Sequence, residues 1–273
     1  ISIKERSNHL RKFKDSVKIH DTAIIGPDVK LGAGVEVGPY TVIEGDIEIG
    51  ENTKIASNVQ INGWTRIGSD NKIFNGVSLG LPPQHHDYDG EKTYVFIGDN
   101  NVIREYVTVH RGTVDGGGET RVGNDNLLMA YSHVAHDCNL GNEIIMSNAV
   151  NLSGHVTIEN QAYISGLVGV HQFVRIGRLA AIGAHSKATK DIPPYLEVKG
   201  HPATVQGLNV VGLRRHGIYD ELRDEIKKAY DILYNSELNI GQAIEKLDQD
   251  LKTGEEVEHF IRFLKSSSRG ICR

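Results

Sequence analysis

The chain has 273 residues, with 30 Lys and Arg against 35 Asp and Glu, which gives a formal net charge of −5 at pH 7. This balance supplies no global basic field that would attract nucleic acid or an anionic lipid surface. Two cysteines, Cys138 and Cys272, are too few for a disulfide framework, and no apolar run approaches the roughly 20 residues of a membrane span. The composition therefore predicts a cytoplasmic protein with no transmembrane segment and no nucleic-acid partner.

The N-terminal residues 1–18 precede the first repeat of the chain. They begin ISIKERSNHLRKFKDS, which lacks the apolar core of a signal peptide. We predict an N-terminal extension here and assign it no function.

A period of six residues dominates the chain from Ile25 onward. Aliphatic residues recur every sixth position to Leu79, continue in phase from Ile97 to Val109, and resume at Val122. Neither the helical period nor simple strand alternation explains a sustained period of six, whereas a short strand followed by a corner does. Three such hexads form one triangular coil of a parallel β-helix, which we predict for residues 19–190.

Two segments interrupt the repeat, LPPQHHDYDGEKTY at 81–94 and GTVDGGGET at 112–120. Both are predicted to be loops expelled from the solenoid, where specific function tends to accumulate because the scaffold positions them. The glycines of the second loop lack the strand, helix and GxxxxGK[ST] context of a phosphate loop, so flexibility is the better interpretation.

The repeat ends at DIPPY, and the remaining residues show a different period. Apolar residues recur at helical spacing in three groups. These are Leu222, Ile226, Ala229, Tyr230 and Leu233, then Ile240, Ile244, Leu247 and Leu251, then Val257, Phe260, Ile261 and Leu264. The sequence therefore predicts a small C-terminal α-helical domain over residues 191–273.

Residues 18 apart should lie above one another in such a solenoid, which brings chemically useful groups together. One predicted column contains His136, Gly154 and Gln172. Histidine can remove and return a proton near neutral pH, and an unobstructed glycine N–H can donate to an oxyanion. This pairing suits acyl transfer. Asp137 could support the imidazole only if the backbone turns a corner, because adjacent strand residues point to opposite faces.

Clustering separates the candidate histidines from the others. Those near the column are His110, His133, His136, His155 and His171, whereas His85, His86, His185, His216 and His259 are expected to be ordinary surface or core residues. A metal site is the main alternative, since several imidazoles could bind zinc as in hexapeptide-repeat carbonic anhydrases. The neighbouring Asp and Gly favour acid–base chemistry, and we predict no metal.

Several longer motifs carry a resemblance to a known family. The segments NLLMAYSHVAHDCNLGN, SGHVTI, VHQFVRIG, REYVTVHRGT, DIPPY and SSRGI resemble those of the UDP-N-acetylglucosamine O-acyltransferases that begin lipid A biosynthesis. The resemblance implies a left-handed β-helix and a homotrimer with active sites between subunits. It further implies transfer of a 3-hydroxyacyl group from acyl carrier protein to the 3-hydroxyl of UDP-N-acetylglucosamine, without a metal or diffusible cofactor.

The same resemblance assigns roles to individual positions. His136 matches the general base, Asp137 its supporting carboxylate and Gly154 the oxyanion donor. The expected substrate-binding residues are Gln84, His110, His133, His155, His171, Gln172, Asn209 and Arg215, the last two on the nucleotide. From sequence alone, Arg215 is equally compatible with a solvated helix face.

Two positions depart from the family pattern. The first loop usually reads QDLKY, but this chain has QHHDY, so Asp87 occupies the usual lysine position and a 3-amino acceptor sugar becomes an alternative substrate. Ala184 stands where glycine is common at a position that sets acyl-chain length, which predicts a preference for somewhat shorter chains.

Two alternative functions remain. One is the N-acyltransferase of the same pathway, which usually has a separate uridine-binding domain, and the other is a noncatalytic hexapeptide scaffold.

Overall fold

The computed structural model describes residues 16–250 and 254–273, so most of the predicted extension 1–18 lies outside the described residues. The strands, in chain order, are β1 (Lys18–Ile19), β2 (Ile24–Ile25), β3 (Val29–Leu31), β4 (Glu36–Val37), β5 (Val42–Ile49), β6 (Lys54–Ile55), β7 (Gln60–Ile67), β8 (Lys72–Ile73), β9 (Ser78–Leu81), β10 (Tyr94–Ile97), β11 (Val102–Ile103), β12 (Thr108–His110) and β13 (Glu119–Val122). They continue as β14 (Leu127–Leu128), β15 (His133–Val134), β16 (Asn139–Leu140), β17 (Ile145–Met146), β18 (Asn151–Leu152), β19 (Thr157–Ile158), β20 (Tyr163–Ile164), β21 (Gly169–Val170), β22 (Arg175–Ile176), β23 (Ala181–Ile182), β24 (Lys187–Ala188), β25 (Leu196–Gly200) and β26 (Ala203–Leu208). The helices that follow are α1 (Val210–Arg215), α2 (Asp220–Tyr234), α3 (Ile240–Asp250) and α4 (Glu255–Lys265).

These strands wind into a left-handed parallel β-helix of about ten coils, which confirms the predicted fold. The first face is one sheet, in the order β1-β4-β6-β8-β11-β14-β17-β20-β23-β25-β26. A second sheet covers the other two faces, because β5 and β7 are long enough to turn the corner between them. The second face runs from β2 through β12, β15 and β18 to β24, and the third face runs from β3 through β10 and β13 to β22.

The hexad aliphatics fill the axis of the solenoid, as predicted. Residues such as Ile43, Ile61, Leu79 and Val109 are fully buried and belong to one continuous core. Each buried aliphatic stabilises the coil stack by removing apolar surface from water, and neighbouring coils share that surface. The corners that separate the faces therefore lie at the surface, with side chains free for other roles.

An asparagine ladder replaces the aliphatics at one interior position of the central coils. Asn71, Asn101 and Asn126 are buried, and the side-chain oxygen of each accepts the backbone N–H of the next coil at 2.8–2.9 Å. Each side-chain amide donates to a carbonyl at the adjacent corner, as Asn126 does to Gly141 at 3.0 Å. The ladder satisfies backbone groups that the turn would otherwise leave unpaired inside the solenoid.

Replacing Asn126 with alanine should therefore destabilise the solenoid. The change leaves the N–H of Ile144 and the carbonyl of Gly141 without partners, at an expected cost of about 2–5 kcal/mol in the free energy of unfolding. Urea unfolding followed by circular dichroism measures this loss. Asn142→Ala is the control, because Asn142 lies in a solvent-accessible ladder where water replaces the lost hydrogen bond. Equal losses in the two variants would contradict the argument.

The C-terminal part continues the first face and then adds the helices. β25 pairs in parallel with β23, and β26 returns antiparallel to β25. The sheet thus reaches Leu208, within the predicted C-terminal domain 191–273, because backbone pairing continues after the aliphatic repeat has stopped. The helices pack around a separate core that includes Leu213, Ile226 and Phe260, and this core meets the solenoid at Leu179 and Tyr195. This hairpin and the helices cover sheet edge that would otherwise be exposed.

Candidate active site

The second corner, which joins the second and third faces, carries the predicted histidine column. Asp137, His155 and Phe173 occupy the same place in three successive coils, each with a positive φ of 62–64°. This left-handed backbone is uncommon for residues other than glycine, and it breaks the strand alternation at the corner. As a result, the side chains of the adjacent residues His136 and Asp137 point toward each other instead of to opposite faces.

His136 and Asp137 form a direct hydrogen bond. The Nδ1 atom of His136 lies 2.7 Å from Oδ2 of Asp137, and the carboxylate side chain is fully buried. With Nδ1 bonded to the carboxylate, the Nε2 atom of His136 is left as the proton acceptor. The contact that the sequence left undecided is therefore made.

The second loop, residues 111–118, holds the carboxylate in place. Thr113 donates from its backbone N–H to Oδ1 and from its hydroxyl to Oδ2 of Asp137, both at 2.7 Å. A Cβ at Gly116 would overlap the carboxylate, so this glycine allows the loop to approach closely. Our interpretation of the glycines as merely flexible missed this role, although Thr113 is part of the HRGT motif.

Gly154 lies one coil beyond His136 and directly against its ring. A methyl group on Gly154 would come within 2.5 Å of Cε1 and 2.8 Å of Nε2 of His136. Within the residues that the structure describes, the backbone N–H of Gly154 makes no hydrogen bond. The predicted column therefore places a base and an uncommitted donor side by side.

A cavity of about 280 Å³ opens beside this pair on the second face. It is lined by Gln84, His110, His133, Ala135, His136, Asn151, Leu152, Ser153 and Gly154. Burial lowers the pKa of His110 to about 4, with a smaller lowering from His133, and burial also lowers the pKa of His133. Both imidazoles are thus neutral at pH 7. The Nδ1 atom of His110 is buried without a partner among the described atoms, and Nδ1 of His133 bonds the Thr108 hydroxyl at 2.7 Å.

The other predicted contacts at this corner lie around the cavity. His155 stacks on Phe173 at 4.4 Å and presents its edge to His136 at 5.3 Å between ring centroids. Burial lowers the pKa of His155, and nearby Asp137 opposes that effect. His171 and Gln172 are exposed one coil further along the axis, beyond Gly154.

His85, which we expected to be an ordinary surface residue, reaches the site from the first loop. Its ring centroid is 5.2 Å from that of His136, in an edge-to-face arrangement. Periodicity could not reveal this, because loop residues do not follow the coil register. Asp87 instead points to solvent and contacts His86 Nδ1 at 3.1 Å.

Asn209 and Arg215 lie on the first face, away from His136. Both line a second cavity of about 410 Å³, together with Ile145 and Tyr163. The side chain of Asn209 caps α1 by accepting from Gly212 N–H at 2.9 Å, and it donates to the Leu179 carbonyl at 2.8 Å. Arg215 ends α1 with its side chain exposed. Ala184 is exposed at the first corner, between the first and second faces.

His136, Asp137 and His155 are close enough to be considered as metal ligands, since their ligand atoms lie within 4.8 Å of one another. Asp137, however, already accepts two hydrogen bonds from Thr113 and one from His136. A cation would have to replace those bonds and take Nδ1 of His136 from its carboxylate. The hydrogen-bonding arrangement favours an acid–base pair over a zinc site.

No helix in the two described ranges combines the length and apolar character needed to cross a membrane.

A family model described as UDP-N-acetylglucosamine O-acyltransferase, domain 2, matches residues 191–272. The chain is 47% identical over 256 residues to the acyl-(acyl-carrier-protein)–UDP-N-acetylglucosamine O-acyltransferase of Halorhodospira halophila, which covers 94% of this chain and 99% of the relative. The enzyme of that name from Synechocystis is 47% identical over 72% of this chain and 71% of the relative.

Solved structures agree with these sequence relatives. The UDP-N-acetylglucosamine acyltransferase of Francisella novicida superposes with a TM-score of 0.92 at 40% identity, covering 93% of this chain and 94% of that one. A structure from Acinetobacter baumannii gives a TM-score of 0.91 at 40% identity, over 93% of this chain and 99% of that one. The chain therefore belongs to the acyl-(acyl-carrier-protein)–UDP-N-acetylglucosamine O-acyltransferase family.

Proposed function

We propose that the chain transfers a 3-hydroxyacyl group from acyl carrier protein to the 3-hydroxyl of UDP-N-acetylglucosamine in lipid A biosynthesis. The observation that carries the proposal is the hydrogen-bonded series from Thr113 through Asp137 to His136, with Gly154 against the free nitrogen. The name of the related enzyme from Halorhodospira halophila contains both substrates, acyl carrier protein and UDP-N-acetylglucosamine. We also propose that the enzyme lies in the cytoplasm, because its two cysteines are too few for the disulfide framework of a secreted protein.

The chemistry follows from the two nitrogen atoms of His136. Nε2 accepts the proton of the sugar hydroxyl while the oxygen attacks the thioester carbonyl, and Asp137 stabilises the resulting imidazolium through Nδ1–H. The tetrahedral oxyanion accepts a hydrogen bond from the backbone N–H of Gly154. When the carbon–sulfur bond breaks, the thiolate of the carrier takes the proton back from Nε2. The products are the acylated sugar and the free thiol.

The direct test is an assay with purified protein, 3-hydroxyacyl carrier protein and either of two acceptors. Transfer to UDP-N-acetylglucosamine with ester formation is the expected result. Transfer only to the corresponding 3-amino sugar would replace the hydroxyl acceptor in the proposal, and the QHHDY departure in the first loop makes that comparison worthwhile. No transfer to either sugar would overturn the proposed function.

We further propose that the active unit is a homotrimer. The His136 cavity opens on the second face, whereas Arg215 lies on the first face, so one chain cannot present both to a single nucleotide sugar. A threefold axis beside the first corner brings the first face of one subunit opposite the second face of the next. This arrangement also covers Tyr106, Tyr131 and Leu167, which are 50–62% exposed along that corner.

Tyr131→Asp should dissociate this trimer. The rings of Tyr106 and Tyr131 stack at 5.2 Å, and three carboxylates near the axis would repel one another. Light scattering should show a shift from about 90 kDa toward the 30.0 kDa chain, with loss of transfer activity. Tyr219→Asp is the control, because Tyr219 is 67% exposed between α1 and α2. A Tyr131 variant that keeps the trimer mass would contradict the placement of the axis.

Ala184 remains the proposed determinant of acyl-chain length. It lies fewer than three coils beyond His136, which at about 4.8 Å per coil corresponds to roughly 13 Å along the axis. We expect Ala184→Gly to raise transfer of the longest donors about tenfold relative to the shortest, since one methyl group in a hydrophobic channel discriminates by this order. A series of 3-hydroxyacyl donors measures the shift. An unchanged preference would exclude Ala184 from this role.

A further inference from the structure

The first loop, residues 82–93, brings Gln84 and His85 to the active site but does little to hold its own tip. Residues 84–87 are exposed, and the hydrogen bonds at the tip are local. Tyr88 N–H donates to the His85 carbonyl at 3.3 Å, and His86 contacts Asp87. The position of the tip against His136 must therefore depend on contacts further along the loop.

Arg111, the first residue of the second loop, supplies those contacts. Its Nη1 donates to the carbonyl of Gly80 at 2.6 Å, where the loop leaves β9, and its Nη2 donates to the Tyr88 hydroxyl at 2.8 Å. The Tyr88 hydroxyl in turn donates to the Glu91 carbonyl at 2.6 Å, near the return of the loop. One guanidinium group thus connects the beginning, middle and end of the segment.

The surroundings of Arg111 are built to receive a planar cation. The guanidinium lies 5.3 Å from the ring of Trp64 and 5.7 Å from the ring of Tyr88. Gly63 has a φ of 70°, and a Cβ there would overlap Nη1 of Arg111. Lysine could not reach two acceptors in fixed directions from this place, because it lacks the planar fork.

Burial of Arg111 is costly, which separates it from a surface cation. The residue is only 5% exposed, and its Nε is buried without a partner among the described atoms. A buried charge with an unpaired N–H destabilises the fold unless another interaction offsets it. The preceding residue, His110, contacts the backbone of Pro82 and lines the catalytic cavity. Two consecutive residues thus line the catalytic cavity, as His110 does, and hold the first loop, as Arg111 does.

We propose that Arg111 is a positioning residue that acts through Tyr88 to hold the first loop against the catalytic cavity. Arg111 and Tyr88 thereby position Gln84 and His85, which meet the acceptor sugar beside His136. This inference rests on the proposed acyl transfer for its kinetic readout. Its structural part, the dependence of the loop tip on Arg111 and Tyr88, does not require that reaction.

Tyr88→Phe is the sharpest variant, because it removes one oxygen and keeps the aromatic ring. We expect the KM for UDP-N-acetylglucosamine to rise about tenfold, while the KM for acyl carrier protein stays unchanged. Arg111→Lys should raise the same KM selectively. The double variant should have a KM no higher than that of Arg111→Lys alone, because both changes remove the same hydrogen bond between Arg111 and Tyr88. Tyr94→Phe is the control, since Tyr94 stacks on Phe96 near the loop.

Hydrogen exchange of residues 84–88 without substrate tests the structural part separately. Faster exchange in the Tyr88 and Arg111 variants, but not in Tyr94→Phe, is expected whether or not the native chain transfers acyl groups. An unchanged KM in Tyr88→Phe, or multiplicative effects in the double variant, would overturn the positioning role. Unchanged exchange at the tip would overturn it even if the acyl transfer itself were established.

Discussion

His136→Ala should lower kcat for acyl transfer by about 10³-fold, within the range usual for loss of a general base. The variant leaves the sugar hydroxyl without the proton acceptor that Asp137 orients through the 2.7 Å bond to Nδ1. Steady-state assays at substrate saturation measure the effect. His20→Ala is the control, because His20 lies in the first coil and bonds locally to Thr22.

The His136 variant should keep its fold and its trimeric mass, since the imidazole is at the surface corner and not in the aliphatic axis. Retention of more than a tenth of the native kcat would exclude His136 as the base. In that event His155 would become the candidate, because its Nε2 lies 3.7 Å from the same carboxylate.

Gly154→Ala should lower kcat by about 100-fold with little change in stability. The added methyl group would come within 2.5 Å of the His136 ring and must displace it, and a shift of about 1 Å in a catalytic group costs this much in rate. The backbone of Gly154 does not adopt the left-handed conformation, so alanine adds no backbone strain there. Measurement of kcat together with thermal unfolding separates the two effects.

A neighbouring glycine provides the matched control for this substitution. Gly169 lies on the second face in the next coil, and a Cβ there would meet no atom within 4 Å. Gly169→Ala should therefore leave kcat unchanged. In a His136→Ala background, Gly154→Ala should cause no further loss, because the ring that it displaces is already gone. A large additional loss would show that Gly154 acts independently of His136.

The sequence predicted the scaffold well because its core obeys a simple repeat. Ile61 and Leu79 are 18 residues apart and pair across one coil step, as the hexads require. The same arithmetic placed Gly154 beside His136, and the structure brings them into contact. These successes come from the backbone register, which determines which residues stack without reference to side-chain chemistry.

Features that depend on the corners and loops were harder to predict from the sequence. The contact between His136 and Asp137 requires a positive φ at Asp137, and the general enrichment of Asp in that conformation does not single out one position. Thr113 and His85 reach the site from loops that leave the register, so their spacing from His136 in the chain carries no geometric information. The continuation of the first face by β25 was also hard to predict, because its pairing with β23 needs no aliphatic repeat.

Apart from a register shift between β9 and β12 at Val109 and His110, the loops leave and rejoin the solenoid without disturbing the pairing of its coils. Ile67 pairs with Ile97 across the first loop, and Ile97 pairs with Val122 across the second, although ordinary partners such as Leu140 and Ile158 are separated by 18 residues. Insertions and deletions in the first loop therefore leave the pairing of the coils that carry His136 and Gly154 unchanged, whereas Thr113 ties the second loop to Asp137. The first loop can thus change in length and composition, and substrate preference with it, while the coils keep His136 and Gly154 at a constant separation.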